Sequence, residues 1–179
     1  MNVRTLCLGI LSLQESSGYE IKKDVEEGLF SHFIDASYGS IYPALNQLAV
    51  EGFVTARAEE QTGKPDKKVY CITEAGKNAL AKAISVVPAK DKYKSEFLFQ
   101  MLLKDYMSPD MMLVVIQKQL DDLNEDLARI AECSQGNDAQ GNGARFVGEY
   151  GNAVLTAGVK CLEYKKAELL QQMAAQAAE

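Results

Sequence analysis

The sequence predicts a mainly α chain with a minor β component. Residues 1–87 read as an N-terminal winged helix-turn-helix with a two-stranded wing, and residues 88–179 as a helical, coiled-coil-like dimerisation domain. Three observations carry this. Apolar side chains recur at helical spacing along most of the chain. Two short strand-like segments flank a turn-rich loop, Gln61-Thr62-Gly63-Lys64-Pro65-Asp66-Lys67. From Leu113 to Ile130 an apolar stripe repeats at 3, 4, 3, 4 and 3 residues, the seam of a coiled coil.

The elements follow in order. Val3, Leu6, Cys7, Ile10 and Leu13 give the first helix a broad apolar face. Ser17 is placed to cap a second helix, Tyr19 to Leu29, which buries Ile21, Val25 and Leu29 and meets a stop at Gly28. A third helix is expected from a cap at Ser37 to a stop at Gly52. Its stripe of Ile41, Leu45 and Leu48 must face a core. Its other side presents Gly39, Ser40, Pro43, Asn46, Gln47 and Val50, with Tyr42 on the flank. Amides on such a face can pair with adenine edges, and hydroxyls can reach phosphates. Pro43 conflicts with an uninterrupted helix, because it lacks an N–H and clashes with the preceding turn. Either the helix starts near Ser40, or Tyr38 to Ser40 form a separate turn.

Phe53 to Glu60 and Lys68 to Ile72 are the two strands, and their hairpin gathers Arg57, Lys64, Lys67 and Lys68. Lysines on a hairpin that follows a helix-turn-helix have the layout of a wing gripping phosphates. Thr73 caps a helix over Ala75 to Val87, with Ala79, Leu80, Ala83, Ile84 and Val87 available for burial and Pro88 as its end. Phe97, Leu98, Met101 and Leu102 form a further helical stripe. Ser108-Pro109-Asp110 starts a long helix whose seam is Leu113, Ile116, Leu120, Leu123, Leu127 and Ile130. A second copy or an intramolecular helix could fill that seam. Ser134 to Gly143 reads as a linker. The last helix runs from about Ala144, with Phe146, Tyr150, Val154, Ala157, Cys161, Leu162, Leu169 and Met173 assigned to one face, and Ala174 to Glu179 as a frayed end. Gly148, Gly151 and Gly158 weaken this helix and point to a partner backbone close by.

The chain of 179 residues is 47% apolar, enough for a real core, and carries a formal charge of −6. Up to Val86 it holds 9 basic and 11 acidic side chains, and beyond it 10 and 14, so contact with a polyanion needs a local basic patch. Cys7, Cys71, Cys133 and Cys161 are isolated, and the N-terminus lacks the pattern of a signal peptide. No apolar run reaches the ~20 residues that span a bilayer. The expected setting is cytoplasmic and reducing, with no membrane partner. Neither a nucleophile–base pair nor a glycine-rich phosphate loop is present, and His32 stands alone. The chain is therefore expected to be no enzyme and to hold no metal and no cofactor.

Gly18-Tyr19-Glu20-Ile21, then Ser37-x-Gly39-x-Ile41-Tyr42-Pro43-x-Leu45-x-x-Leu48, then Gly52-Phe53-Val54, resembles the PadR family of winged-helix transcriptional regulators. Lys68-Val69-Tyr70-Cys71-Ile72-Thr73-Glu74-x-Gly76 looks like that family's second wing strand and following helix, and Gly63 to Tyr70 is similar to its AphA-containing branch. The motifs span roughly residues 5 to 80. The resemblance implies a homodimer whose reading helices and wings address two half-sites of a pseudo-palindromic operator in double-stranded DNA. Motif position would give the contacts to Tyr38, Ser40, Tyr42 and the wing lysines. Two other readings stand beside it: a winged-helix module that binds protein through its acidic surface, and a regulator with a small aromatic effector in a dimer core around Tyr93, Phe97, Met101, Phe146 and Tyr150. Family members that trap flat drugs do so with a tryptophan, and this chain has none.

Overall fold

The computed structural model describes residues 2–26, 30, 38–59, 67–135 and 141–176. His32, Ser37, Lys64 and the hairpin tip lie outside the described residues. The chain divides into two compact units, residues 1–91 and 92–179.

In the first unit, α1 (Val3–Leu13) leads through β1 (Ser16–Ser17) into α2 (Gly18–Glu26). A 3₁₀ turn at Tyr38–Ser40 precedes α3 (Ile41–Val50), and β2 (Val54–Glu59), β3 (Lys67–Ile72) and α4 (Glu74–Ile84) follow. The stripes set the core: Cys7, Ile21, Ile41, Leu45 and Leu48 are at most 1% exposed, and α1, α2, α3 and the sheet converge on them. Leu13, expected on the buried face of α1, is instead 69% exposed, because the helix stops at Gln14 and the chain turns away toward β1.

Both alternatives at Pro43 hold together. Tyr38 to Ser40 form their own 3₁₀ turn and the α-helix begins at Ile41, so Pro43 falls in its first turn, where no N–H needs an intrahelical acceptor. Gly52 then turns the chain with φ 74°, a conformation that costs glycine nothing, and delivers Phe53 to the sheet.

The sheet has three antiparallel strands in the order β1-β3-β2, one more than expected. Ser16 and Ser17 pair with Tyr70 and Val69, and Arg57 lies opposite Val69 in the β2–β3 ladder. Two serines carry no strand signature, so β1 exists only because β3 offers it an edge.

The Thr73 hydroxyl accepts from Gly76 N–H at 3.1 Å, capping α4 as expected. That helix ends at Ile84 rather than Val87, with the Ser85 hydroxyl donating to the Ala81 carbonyl at 2.6 Å. Of the five side chains expected to bury there, Ala79 and Leu80 are half-buried, whereas Ala83, Ile84 and Val87 are exposed.

In the second unit, α5 (Glu96–Leu102) and a 3₁₀ turn (Lys104–Tyr106) precede two long helices, α6 (Pro109–Gln135) and α7 (Gly141–Gln176). Both long helices extend into the stretch read as a linker, leaving only residues 136–140 undescribed, and α7 continues through Gln176 where fraying was expected. The two pair as an antiparallel hairpin. A Cβ on Gly151 would lie 3.1 Å from Ile130 Cδ1, and one on Gly158 would lie 3.2 Å from Leu123 Cδ1. Further along, Lys166 Nζ donates to Gln117 Oε1. The glycines thus admit bulky side chains of the same chain, with Ile116 and Leu120 buried in the seam.

The α7 face splits in two. Leu162, Leu169 and Met173 are half-buried, while Phe146, Tyr150 and Val154 are 69%, 64% and 53% exposed, and Ala157 and Cys161 share that exposure. At 100° per residue Leu162 lies one step round from Cys161, and an unbroken stripe over 30 residues drifts off a single line.

Candidate nucleic-acid interface

α3 shows one face to the core and the other to solvent. Gly39, Pro43, Asn46 and Gln47 are exposed, Ser40 is half-buried, and Tyr42 is 48% exposed. The Tyr42 ring is seated against Gly18, where a Cβ would fall 2.5 Å from its Cε1. This ties the glycine of the α2 motif to the tyrosine of the α3 motif. Tyr38 places its backbone in the turn before α3, and its side chain is not among those described. At the far end of the helix, Gln47 Nε2 donates to Glu51 Oε1 at 2.8 Å, and Glu51 also pairs with Arg4. The Gln47 amide, followed by Arg4, holds the Glu51 carboxyl below its usual range.

Among the described residues, the wing cations do not form one patch. Lys67 and Lys68 are neighbours in β3, so their side chains point to opposite faces of the sheet. Lys68 Nζ lies 5.2 Å from the centre of the Tyr70 ring, on the face that carries the core. Lys67 Nζ is 2.7 Å from Glu20 Oε1, and Arg57 is 2.6 Å from Glu15 Oε2. Neither acid was expected to meet a wing cation, since nothing local links Glu20 with a lysine 47 positions away.

The Glu20 carboxylate accepts three hydrogen bonds from two residues. One oxygen takes Lys67, while the other accepts the Ser17 N–H at 2.8 Å and the Ser17 hydroxyl at 2.9 Å. Ser17 Oγ in turn accepts Glu20 N–H at 3.3 Å, which completes a capping box at the start of α2. Lys67 first, and the Ser17 N–H second, pull the Glu20 carboxyl down to about 2. Arg57 likewise lowers Glu15, with Cys71 contributing. Burial pushes the Cys7 thiol up to about 11, so it packs as a small apolar group.

Among the described residues no three His, Cys, Asp or Glu side chains gather as a metal site, and no helix is long and apolar enough to cross a membrane.

Residues 7–82 match the Transcriptional regulator PadR-like family. Over 94 residues, 52% of the chain, the sequence is 38% identical to the Negative transcriptional regulator PadR of Bacillus subtilis. The chain spans about half the length of that curated relative, 51%. Among solved structures it is similar to smu.1604c of Streptococcus mutans, with a TM-score of 0.79 and 31% identity, covering 93% of this chain and 99% of the other. It is also similar to Bacillus subtilis PadR in complex with operator DNA, with a TM-score of 0.75 and 27% identity over 93% and 98% of the two chains. The same protein in complex with p-coumaric acid matches with a TM-score of 0.68 and 26% identity, over 94% and 99%. The Vibrio cholerae virulence activator AphA, 21% identical with a TM-score of 0.64 over 98% and 99%, shares the fold. The motifs around Gly18, Ile41 and Thr73, the buried α3 stripe beneath an open polar face, and likeness over nearly the whole length agree: residues 7–82 form a domain of the PadR-like family of transcriptional regulators, and the chain as a whole has the fold of solved PadR-like regulators.

Proposed function

We propose that the chain regulates transcription by binding double-stranded DNA as a homodimer on a pseudo-palindromic operator. The observation that carries this reading is α3. One side of the helix is locked in the core, and Gly39, Pro43, Asn46 and Gln47 stand open on the other, with Ser40 and Tyr42 beside them. Small and amide side chains on a rigid helix are what major-groove readout requires. The likeness to Bacillus subtilis PadR, whose structure was solved with operator DNA, supports the same assignment. In this reading Asn46 and Gln47 face base edges, Tyr38, Ser40 and Tyr42 contribute further DNA contacts, and Lys64 and Lys68 supply wing charge.

Dimerisation is proposed through the second unit. Within the chain, Ile116 and Leu120 of the α6 seam are buried and Leu123 and Ile130 lie against glycines of α7, whereas Leu113 and Leu127 stay half-buried. Open apolar surface includes Phe146, Tyr150 and Val154 on α7, Leu98, Phe99 and Leu102 on α5, and Met111 and Val114 on α6. Surface of this kind marks an interface.

Selection of bound duplexes from a random pool tests the proposal. Two inverted half-sites one or more helical turns apart are expected. No enrichment, with no duplex retained even at low salt, would overturn it.

A small aromatic effector remains a second reading. It is supported by the Bacillus subtilis PadR complex with p-coumaric acid and by the exposed Phe146–Tyr150 ring pair, whose centres lie 6.5 Å apart. Calorimetric titration with aromatic acids decides it, and absence of any heat would remove it.

A further inference from the structure

We infer that Glu15 and Glu20 are positioning residues that strut the wing against the helix-turn-helix, and that Arg57 and Lys67 are the other ends of those struts rather than ligands for phosphate. This builds on the DNA-binding reading above.

The argument starts from the pleat. Alternation puts Arg57, Lys67, Val69, Cys71 and Ser17 on one face of the sheet and Val54, Tyr70 and Ser16 on the other. The second face meets the core where Val54, Tyr70 and Ser16 lie, each 2% exposed, and opens toward the hairpin at Ala58 and Lys68. The first face looks away from the core and should be wet, yet Val69 at its centre is 5% exposed and Ser17 is 4% exposed. Two ion pairs span that same face. Arg57 is on β2 and Glu15 immediately precedes β1, with β3 between them, so the guanidinium must cross about 10 Å of sheet to reach its partner. It crosses at the level of Val69, its register neighbour. Lys67 closes the same face from the other side by reaching Glu20 in the first turn of α2. Because β1 is only two residues long, the backbone ladder alone holds the wing weakly, and Glu20 adds its bonds to the Ser17 N–H and hydroxyl.

Charge leads to the same conclusion. A cation already bonded to a carboxylate carries no net charge to a phosphate, and using it there would leave Glu15 or Glu20 facing the duplex. Lys68, on the opposite face, has no carboxylate partner among the described residues.

The test uses the full chain and the variants E20Q, K67Q and the double substitution. Glutamine preserves the capping box while removing the charge. Amide exchange at Ser17, Val69 and Tyr70 is measured without DNA, and retention of a random-sequence duplex across a salt series is measured with it. Struts predict that both single variants speed exchange by about 2- to 5-fold and weaken duplex retention by a similar factor. The double variant should be no worse than either, and the slope of log affinity against log salt should be unchanged. The inference is overturned if E20Q tightens binding while K67Q loosens it with a slope smaller by about 0.9, which would make Lys67 a phosphate ligand. It is equally overturned if neither variant alters exchange. A wild-type chain that retains no duplex at any salt defeats the DNA reading alone, because the exchange cycle still decides the struts.

Discussion

Gly76 offers a sharp test of how α4 is fixed to the base of the wing. A Cβ added there would lie 2.1 Å from the Phe53 carbonyl oxygen and 2.8 Å from Ile72 Cγ1. The first obstacle is backbone and cannot rotate away, so α4 would have to withdraw by about 1 Å to restore contact distance. The Phe53 oxygen also accepts the Thr73 N–H at 3.0 Å and the Thr73 hydroxyl at 3.1 Å, and the same hydroxyl caps the helix through Gly76 N–H. Withdrawal therefore strains the junction and its cap together. Overpacking costs about 1–3 kcal/mol, and the weakened cap and hydrogen bonds about 2 kcal/mol together. Better helix propensity returns up to about 1 kcal/mol. Gly76→Ala should thus destabilise the first unit by roughly 2–4 kcal/mol. Gly9→Ala is the matched control: Gly9 lies inside α1 with nothing within 4 Å of an added Cβ. It should stabilise by about 0.5–1 kcal/mol. Urea unfolding followed by circular dichroism reads both. If the two variants shift in the same direction, the close approach of α4 to Phe53 is wrong.

Leu48→Ala, at a position 0% exposed, should cost about 2–5 kcal/mol; a loss under about 1 kcal/mol in the same assay would mean that the α3 stripe is not core. Acid titration of stability isolates Glu20. Its carboxyl is depressed from 4.5 to about 2, so its contribution is complete above about pH 4.5 and vanishes as pH falls through 2. Its side chain is 46% exposed, which limits that contribution to about 1 kcal/mol, and parallel decline of wild type and E20Q between these pH values would refute it. Replacing Phe146 and Tyr150 together by serine should shift the chain from dimer to monomer in sedimentation; a dimer of undiminished affinity would place the interface elsewhere.

The α3 stripe was legible because a single period decides it: Ile41, Leu45 and Leu48 recur at helical spacing, and all three are buried. The long α6 seam was legible for the same reason, but not its partner, since a heptad accepts a helix of its own chain as readily as one from another. Other features depended on distant residues. β1 is two serines paired with Tyr70 and Val69, and the sequence around them has no alternation to betray a strand. The partners of Arg57 and Lys67 are likewise remote in sequence and invisible to local pattern. The separation of Lys67 from Lys68 was available, because adjacent strand residues must face opposite ways. Counting lysines on a hairpin without applying that alternation merged two surfaces into one.

A small open sheet invites a stranger's strand along its unpaired borders. Here one border is the two-residue β1, too brief to template anything. The other is β2, where Arg57 and Glu59 stud the outer strand with opposite charges. Charges on an outer strand oppose such pairing, and the same side chains keep the sheet from recruiting its own kind into fibrils.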